Sequence, residues 1–210
     1  MNTVTKTRDM VLTGAFVAIM IIMTVIPVLG YIPLGFMNAT IIHIPVIIGA
    51  ILMGPKKGAF LGFVFGLTSM WKNTILMPNA TSFVFSPFIS VGDFKGDWRS
   101  AIICIIPRIL IGVVAYYVYK AVSGKNEKRQ VRALTCAGVA GSLTNTLLVM
   151  NLIYFLFGET YAAAANVNVA KGVYAFIIGV ICMNGIPEAI LAGVLTAAIT
   201  KILLKVKAHS

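Results

Sequence analysis

The chain has 210 residues, of which 59% are hydrophobic and only 11% are charged. Soluble domains carry roughly 25% charged residues, so this composition excludes an ordinary soluble protein and indicates an integral membrane protein. The net charge of +11 does not indicate nucleic-acid binding here, because membrane proteins collect Lys and Arg in their cytoplasmic loops.

The hydropathy pattern predicts six transmembrane helices in a single all-α domain, residues 1–210. In chain order the predicted helices cover residues 9–28, 38–53, 57–71, 100–121, 131–157 and 172–204. The second helix is short for a full crossing and contains Pro45, so we expect it to tilt, bend or end early. Pro107 is expected either to open the main part of the fourth helix or to kink it.

Basic residues are divided unequally between the two sides that these spans define. One side receives twelve, which are Lys6, Arg8, Lys56, Lys57, Lys120, Lys125, Lys128, Arg129, Arg132, Lys201, Lys205 and Lys207. The other side receives Lys72, Lys95, Arg99 and Lys171, with Arg108 buried nearby. The positive-inside rule therefore predicts cytoplasmic N- and C-termini and external loops at 29–37, 72–99 and 158–171.

The 72–99 loop between the third and fourth helices is too long and too apolar for a simple connector. Its aromatic side chains would be poorly solvated in water, and they are Phe83, Phe85, Phe88, Phe94 and Trp98. Long loops of this kind often act as binding loops, so we predict an extracellular lid. The alternative is a segment resting among the lipid headgroups, where aromatic residues are also favoured.

Small residues repeat every four positions along two of the predicted helices. Gly58, Gly62 and Gly66 form one line on the third helix, where another helix can approach closely. The first helix offers Gly14 and Ala18 at the same spacing, with Ala15 alongside. Packing within the bundle and docking of another protein are both open interpretations of such lines.

Polar side chains recur in the predicted outer half of the membrane. Arg108 lies some eight residues into the fourth helix, and its planar fork suits a carboxylate; the alternatives are snorkelling or pairing with an acidic residue. Five segments contribute polar or amphipathic residues at a similar depth, among them Asn38, Thr40, His43, Ser69, Trp71, Asn73, Thr144, Asn145, Asn151 and Asn184. Glu188 lies deeper, and a structural bond is as plausible there as a substrate contact. Together these residues predict a polar cavity.

The sequence contains no motif for catalysis or for ATP hydrolysis. HExxH, the P-loop and a recognisable Ser/His pair are all missing, and no pattern predicts a cofactor or a metal site. A row of buried acidic residues that would relay protons or sodium ions is missing as well. The chain is therefore expected to be a small-molecule binding membrane protein, not an enzyme, that depends on other subunits for energy.

Four segments carry a resemblance to a known family. They are "GYIPLGFMNATIIHIPVIIGAILMGPKKGAFLGFVFGLTS" at 30–69, "PFISVGDFKGDWRSAIICIIPRILIGVVAYYVYK" at 87–120, "GSLTNTLLVMNLIYFLFG" at 141–158 and "NGIPEAILAGVL" at 184–195. They resemble the substrate-binding S component of energy-coupling factor (ECF) transporters, the bacterial vitamin importers.

The resemblance implies a six-helix protein of the bacterial cell membrane that captures a vitamin from outside. It also implies a T-type membrane scaffold, two ABC ATPases and an S component that topples in the membrane to release its cargo. The first helix of the family docks on the scaffold through two alanines spaced by four. Gly14 and Ala18 occupy these positions here, beside Ala15.

Within the family the chain is most similar to the group assigned to pantothenate. That resemblance suggests Arg108 or Lys72 for the carboxylate of the vitamin. It suggests amide and hydroxyl contacts from Asn38, His43, Asn145, Asn151 and Asn184, and cover for the dimethyl group from Trp71 and Tyr31. The alternatives are folate, riboflavin or pyridoxine as the ligand, an autonomous facilitator or channel for a small anion, or a subunit without a ligand.

Overall fold

The structure is a computed structural model that describes residues 3–33, 38–124, 126–164 and 172–209. Within this range only the backbone is described at 3–6, 27–28, 31–33, 38–39 and 207–209. The predictions made above for the side chains of Asn38 and Tyr31, and for Lys125 and Lys171, therefore lie outside what the structure describes.

Helices account for most of the described chain. They are α1 (Thr3–Val25), α2 (Pro27–Gly30), α3 (His43–Met53), α4 (Pro55–Trp71), α5 (Trp98–Val122), α6 (Glu127–Ala164), α7 (Val173–Val180) and α8 (Ile186–His209). α6 bends at Phe157, whose φ of −139° is not helical. Lys72–Leu76 and Ile181–Gly185 are π-helical, and Ser82–Val84 is a 3₁₀ turn. The protein is an all-α membrane protein.

Two short antiparallel hairpins interrupt the helical pattern. β1 (Tyr31–Pro33) pairs with β2 (Asn38–Thr40), and β3 (Ser90–Val91) pairs with β4 (Phe94–Lys95). The first hairpin corrects the predicted second helix, which was expected to begin at residue 38 but begins at His43. Residues 38–40 pair with β1 instead, so their backbone hydrogen bonds are made between strands rather than along a helix.

In the part of the chain that the structure describes, four helical runs are long and apolar enough to cross a membrane. They are Thr7–Val25, Trp98–Val122, Glu127–Ala164 and Val173–Val206. α3 has 11 residues and α4 has 17, fewer than the roughly 20 that a straight crossing requires.

Pro45 and Pro107, which were expected to affect the ends or the course of their helices, both lie within helices. Pro45 lies in the first turn of α3, where its missing N–H leaves no helical hydrogen bond unmade. α5 begins at Trp98 and continues through Pro107 to Val122, so Pro107 lies inside a longer helix and does not open it.

The glycine line of α4 packs against α5. A Cβ on Gly58 would overlap Ala50 of α3 and approach the backbone of Gly112. A Cβ on Gly62 would overlap the carbonyl of Arg108, and a Cβ on Gly66 would approach the carbonyl of Cys104. Residues 112, 108 and 104 are themselves spaced by four, so two matching faces of antiparallel helices meet. The seam is therefore internal to the bundle, and it fixes the backbone of Arg108 against α4.

α3 lies at the centre of the protein. All ten residues from His43 to Leu52 are buried, and the helix contacts α1, α4, α5, α6 and α8. Glu127, the first residue of α6, and Lys201, in the C-terminal part of α8, form a salt bridge of 2.8 Å.

A second apolar cluster joins the 72–99 loop to α5, α6 and α7. Phe83 is fully buried, stacks on Phe94 at 5.5 Å between ring centroids and contacts the edge of Phe157 at 5.8 Å. Phe88 and Trp98 are 79% and 70% exposed. The aromatic residues of the 72–99 loop therefore divide into a packed group and a group at the protein surface.

Candidate functional site

A cavity of about 360 Å³ lies between the helices and the first part of the 72–99 loop. Its volume is at the small end of the roughly 300–1,000 Å³ that small-molecule sites occupy. The lining residues are Thr40, Phe65, Ser69, Lys72, Asn73, Asn79, Thr81, Phe85, Arg108, Asn145, Thr146, Val149, Met150, Tyr161, Val180, Asn184 and Glu188. Most are polar or charged, although the cavity lies inside an apolar protein.

Arg108 is held firmly at the wall of the cavity. Only 6% of the residue is exposed, and its Nη1 donates a hydrogen bond to the carbonyl of Ile103 at 2.6 Å. The guanidinium carbon lies 5.7 Å from the ring centroid of Phe65 and 5.5 Å from that of Phe85. Two aromatic faces therefore stabilise the cation, and its position is set before any ligand arrives.

Two asparagines present amide groups to the cavity. Asn145 lies in α6, and Asn184 lies in the π-helical segment that joins α7 to α8. The side-chain oxygens of both residues are buried and have no hydrogen-bond partner among the described residues. Buried polar atoms are normally hydrogen-bonded, so each of these oxygens requires a partner that the described chain does not supply.

Glu188 links the cavity to the first hairpin. Its Oε1 accepts a hydrogen bond of 2.7 Å from the backbone N–H of Thr40, and only 7% of Glu188 is exposed. Both residues line the cavity. The structural bond that the sequence left open for Glu188 therefore exists, and the residue also faces the space where a ligand would lie.

Both π-helical segments border the cavity. Lys72 and Asn73 belong to the first segment, and Asn184 belongs to the second. A π-helix inserts an extra residue into a helical turn and rotates the side chains that follow, which is why such segments are frequent at functional sites.

The structure brings together four of the predicted site residues, namely Arg108, Lys72, Asn145 and Asn184. It places three others away from the cavity wall. His43 is buried at the start of α3, Trp71 is 39% exposed, and the Asn151 amide donates to the carbonyl of Leu147 in its own helix at 2.8 Å. Asn38 and Tyr31 lie in the first hairpin, where their side chains are not described.

Several lining residues were not singled out from the sequence. On α6 they are Thr146, Val149 and Met150, and beyond the bend Tyr161. The first three, together with Asn145, follow the i, i+1, i+4, i+5 spacing of one helix face. From Asn145, that spacing could have predicted the neighbouring lining residues of α6 from the sequence. Asn79 and Thr81 carried no such signal, because they belong to an irregular segment whose path depends on tertiary contacts.

The cavity is suited to a polar, negatively charged ligand. It contains two basic side chains and one carboxyl group, that of Glu188, together with unpartnered amide oxygens, several hydroxyl groups and apolar side chains. No group of three metal-ligating side chains occurs in the part of the chain that the structure describes. The arrangement therefore favours binding by hydrogen bonds and charge.

The small residues of α1 lie apart from this site. Gly14, Ala15 and Ala18 are exposed, and a Cβ added to Gly14 would meet no atom within 4 Å. α1 packs on α3 and α4 through its other side, where Phe16 and Met20 are buried.

Comparison with known proteins agrees with this architecture. Residues 8–200 match the model of the family described as the substrate-specific component of the ECF transporter. The chain is 36% identical over 209 residues to a pantothenic acid transporter, PanT, of Lactococcus lactis subsp. cremoris, covering 98% of each chain. It is 31% identical to a pantothenate transporter, PanT, of Leuconostoc mesenteroides subsp. mesenteroides, covering 96% of this chain and 94% of the relative. The protein is therefore a multi-pass bacterial membrane protein and belongs to the family of substrate-specific S components of ECF transporters.

Proposed function

We propose that this S component captures pantothenate from outside the cell and delivers it for ATP-driven uptake. The names of both relatives support the choice of vitamin. The observation that carries the proposal is the pair of buried, unpartnered amide oxygens of Asn145 and Asn184, in the same cavity as two basic side chains.

The chemical groups of pantothenate match this cavity. The vitamin has one carboxylate, one amide and two hydroxyl groups. Arg108 and Lys72 bind the carboxylate, since charge-assisted hydrogen bonds are the strongest ones that side chains offer. The hydroxyl and amide N–H groups donate to the oxygens of Asn145 and Asn184. Riboflavin and folate contain flat rings that require stacking surface, whereas Phe65 and Phe85 already cover Arg108.

The membrane arrangement that we propose has six spans with both termini in the cytoplasm. α3 and α4 form the two short spans beside the four long runs. The burial of α3 supports this arrangement, because a helix surrounded by protein does not have to match the full lipid thickness by itself. The cavity then opens to the outside, and the 72–99 loop is its lid.

The partners that we propose are a T-type scaffold and two ABC ATPases, because this family works with them and the chain shows no ATPase motif of its own. The docking face on the scaffold is the exposed small-residue stretch of α1, formed by Gly14, Ala15 and Ala18. Small residues permit close helix contact in the membrane.

Titration calorimetry on the purified protein tests the choice of ligand. We expect saturable binding of one pantothenate per chain and no heat with riboflavin, folate or pyridoxine. Native mass spectrometry of protein purified from rich medium is expected to show a bound species with the mass of pantothenate. Tight binding of another vitamin, with none of pantothenate, would reject the assignment.

A further inference from the structure

The segment 79–86 supplies three lining residues of the cavity, which are Asn79, Thr81 and Phe85. Its regular structure is limited to the 3₁₀ turn Ser82–Val84. The segment follows the π-helical turn Lys72–Leu76, in which the N–H of Met77 bonds to the carbonyl of Lys72, five residues earlier. Two side chains of that turn determine where the segment lies.

Asn73 makes the first connection. Its Nδ2 donates to the carbonyl of Ser69 at 2.8 Å, and a carbonyl only accepts, so this bond fixes the orientation of the amide. Oδ1 then accepts from the hydroxyl of Ser82 at 3.1 Å, and Oδ1 of Asn79, at 3.2 Å, is a second acceptor for the same proton. Ser82 is fully buried and also accepts a hydrogen bond from the backbone N–H of Asn79 at 2.9 Å. The amide therefore links α4 to the beginning of the segment.

Thr74 makes the second connection. Its hydroxyl donates to the carbonyl of Met70 at 2.7 Å, which uses the single proton of the hydroxyl. The hydroxyl of Ser86, 2.6 Å from Thr74 Oγ1, is therefore the donor of the bond between them. Ser86 is fully buried as well. Two neighbouring residues of the π-helical turn thus hold two serines spaced by four, one in the middle of the segment and one at its end.

We propose that Asn73 and Thr74 are positioning residues for ligand binding. By fastening Ser82 and Ser86 they keep the segment in place before a ligand enters, so binding does not include the loss of entropy that ordering the segment would require. The affinity consequence rests on the proposed function, whereas the fastening itself is a property of the protein without ligand.

Hydrogen exchange on the unliganded protein tests the fastening. The reporters are the backbone N–H groups of Val84 and Phe85, which bond to the carbonyls of Thr81 and Ser82 at 3.2 and 3.0 Å. We expect Asn73→Ala and Thr74→Val each to accelerate their exchange at least about tenfold. Thr135→Val is the matched control, because the Thr135 hydroxyl bonds to the Val131 carbonyl of its own helix at 3.1 Å. Unchanged exchange in both variants would overturn the proposal.

Calorimetry with pantothenate tests the consequence for binding. Loss of either connection is expected to raise the Kd about five- to tenfold, and Thr135→Val is expected to leave it within about twofold. Ser82→Ala breaks the Asn73 connection without altering the π-helical turn. Ser82→Ala also removes the bond from the Asn79 N–H. We therefore expect Asn73→Ala combined with Ser82→Ala to bind pantothenate about as weakly as Ser82→Ala alone, because Ser82→Ala already removes the Asn73 connection.

The possible outcomes separate this inference from the proposed function. Faster exchange with an unchanged Kd would overturn the positioning role, because the fixed segment would then not support binding. Absence of pantothenate binding in the unaltered protein would reject the proposed function, whereas the exchange experiment would still decide whether Asn73 and Thr74 fasten the segment.

Discussion

The carboxylate of Glu188 on α8 accepts a hydrogen bond of 2.7 Å from the backbone N–H of Thr40 on β2, across 148 residues of sequence. Thr40 is paired with Tyr31 in the hairpin, so Glu188 binds a strand from outside its two-stranded sheet. The bond connects the segment between α2 and α3 to the start of the last long helix, and both partners line the cavity.

Glu188→Ala is expected to lower the free energy of unfolding by about 1–3 kcal/mol, because it leaves the N–H of Thr40 without its acceptor. Glu188→Gln retains an oxygen at this position and is expected to lose less. Thermal unfolding in detergent measures the change, and hydrogen exchange at Thr40 locates it. The matched control is Glu159→Ala at an exposed glutamate. Equal losses for Glu188→Ala and Glu159→Ala would contradict the importance of the Thr40 contact.

Arg108→Ala is expected to raise the Kd for pantothenate at least about 100-fold, since it removes a buried cation that we propose binds the carboxylate of the vitamin. Arg108→Lys is expected to recover only part of the affinity, because an ammonium cannot form a planar pair of hydrogen bonds. Calorimetry provides both values, with Arg132→Lys on the exposed first turns of α6 as the control. An unchanged affinity in Arg108→Ala would remove the centre of the binding assignment.

Gly62→Ala is expected to destabilise the protein by about 1–3 kcal/mol, because the added methyl group overlaps the carbonyl of Arg108 and forces α4 and α5 apart. Gly179→Ala is the matched control, since a Cβ at this helical position meets no atom within 4 Å. The control is expected to be neutral or to stabilise the helix by up to about 1 kcal/mol. Thermal unfolding of the two variants side by side tests this prediction, which fails if both behave alike.

Asp97 caps the N-terminus of α5 through its bond to the N–H of Arg99 at 2.8 Å. The hydrogen bond from the Arg99 side chain lowers the pKa of Asp97 below its usual value. Because the pKa of the folded state is depressed, the contribution to stability is present above the unfolded pKa of about 3.9 and disappears as pH falls through the folded pKa.

Two substitutions separate the cap from the charge. Asp97→Ala removes both and is expected to destabilise the protein by about 0.5–2 kcal/mol at pH 7. Asp97→Asn retains a capping oxygen and is expected to lose less than 1 kcal/mol, about the contribution of an exposed ion pair. Unfolding temperatures at pH 7 and pH 3 measure the difference. Asp97→Asn should show a smaller acid-induced loss than the unaltered protein, and an identical loss would argue against the pKa effect.

Ala18→Leu is expected to prevent assembly with the scaffold and the ATPases while leaving the Kd for pantothenate unchanged. In the isolated protein the exposed face of α1 has room for the larger side chain. In the assembled transporter the same side chain would clash with a partner helix that packs closely on this face. Co-purification with the three partner subunits measures assembly. Met10→Leu, at an exposed position of the same helix, is the control. Normal assembly of Ala18→Leu would place the docking face elsewhere.

The sequence by itself determined the class of protein, the approximate positions of the long helices and the glycine seam. These properties depend on local composition and on the period of a single helix, so Gly58, Gly62 and Gly66 revealed a packing face before any partner was known. The buried position of Arg108 followed from the same local pattern, since it lies in the middle of an apolar run.

The tertiary structure decided which polar residues meet. His43, Asn145 and Asn151 were equivalent in sequence, yet only Asn145 lines the cavity, because the rotation of each helix about its axis is set by packing. The pairing of residues 31–33 with 38–40 and the fastening of segment 79–86 were also beyond sequence patterns. Both depend on a few hydrogen bonds within short or irregular segments, and such bonds leave no periodic signal along the chain.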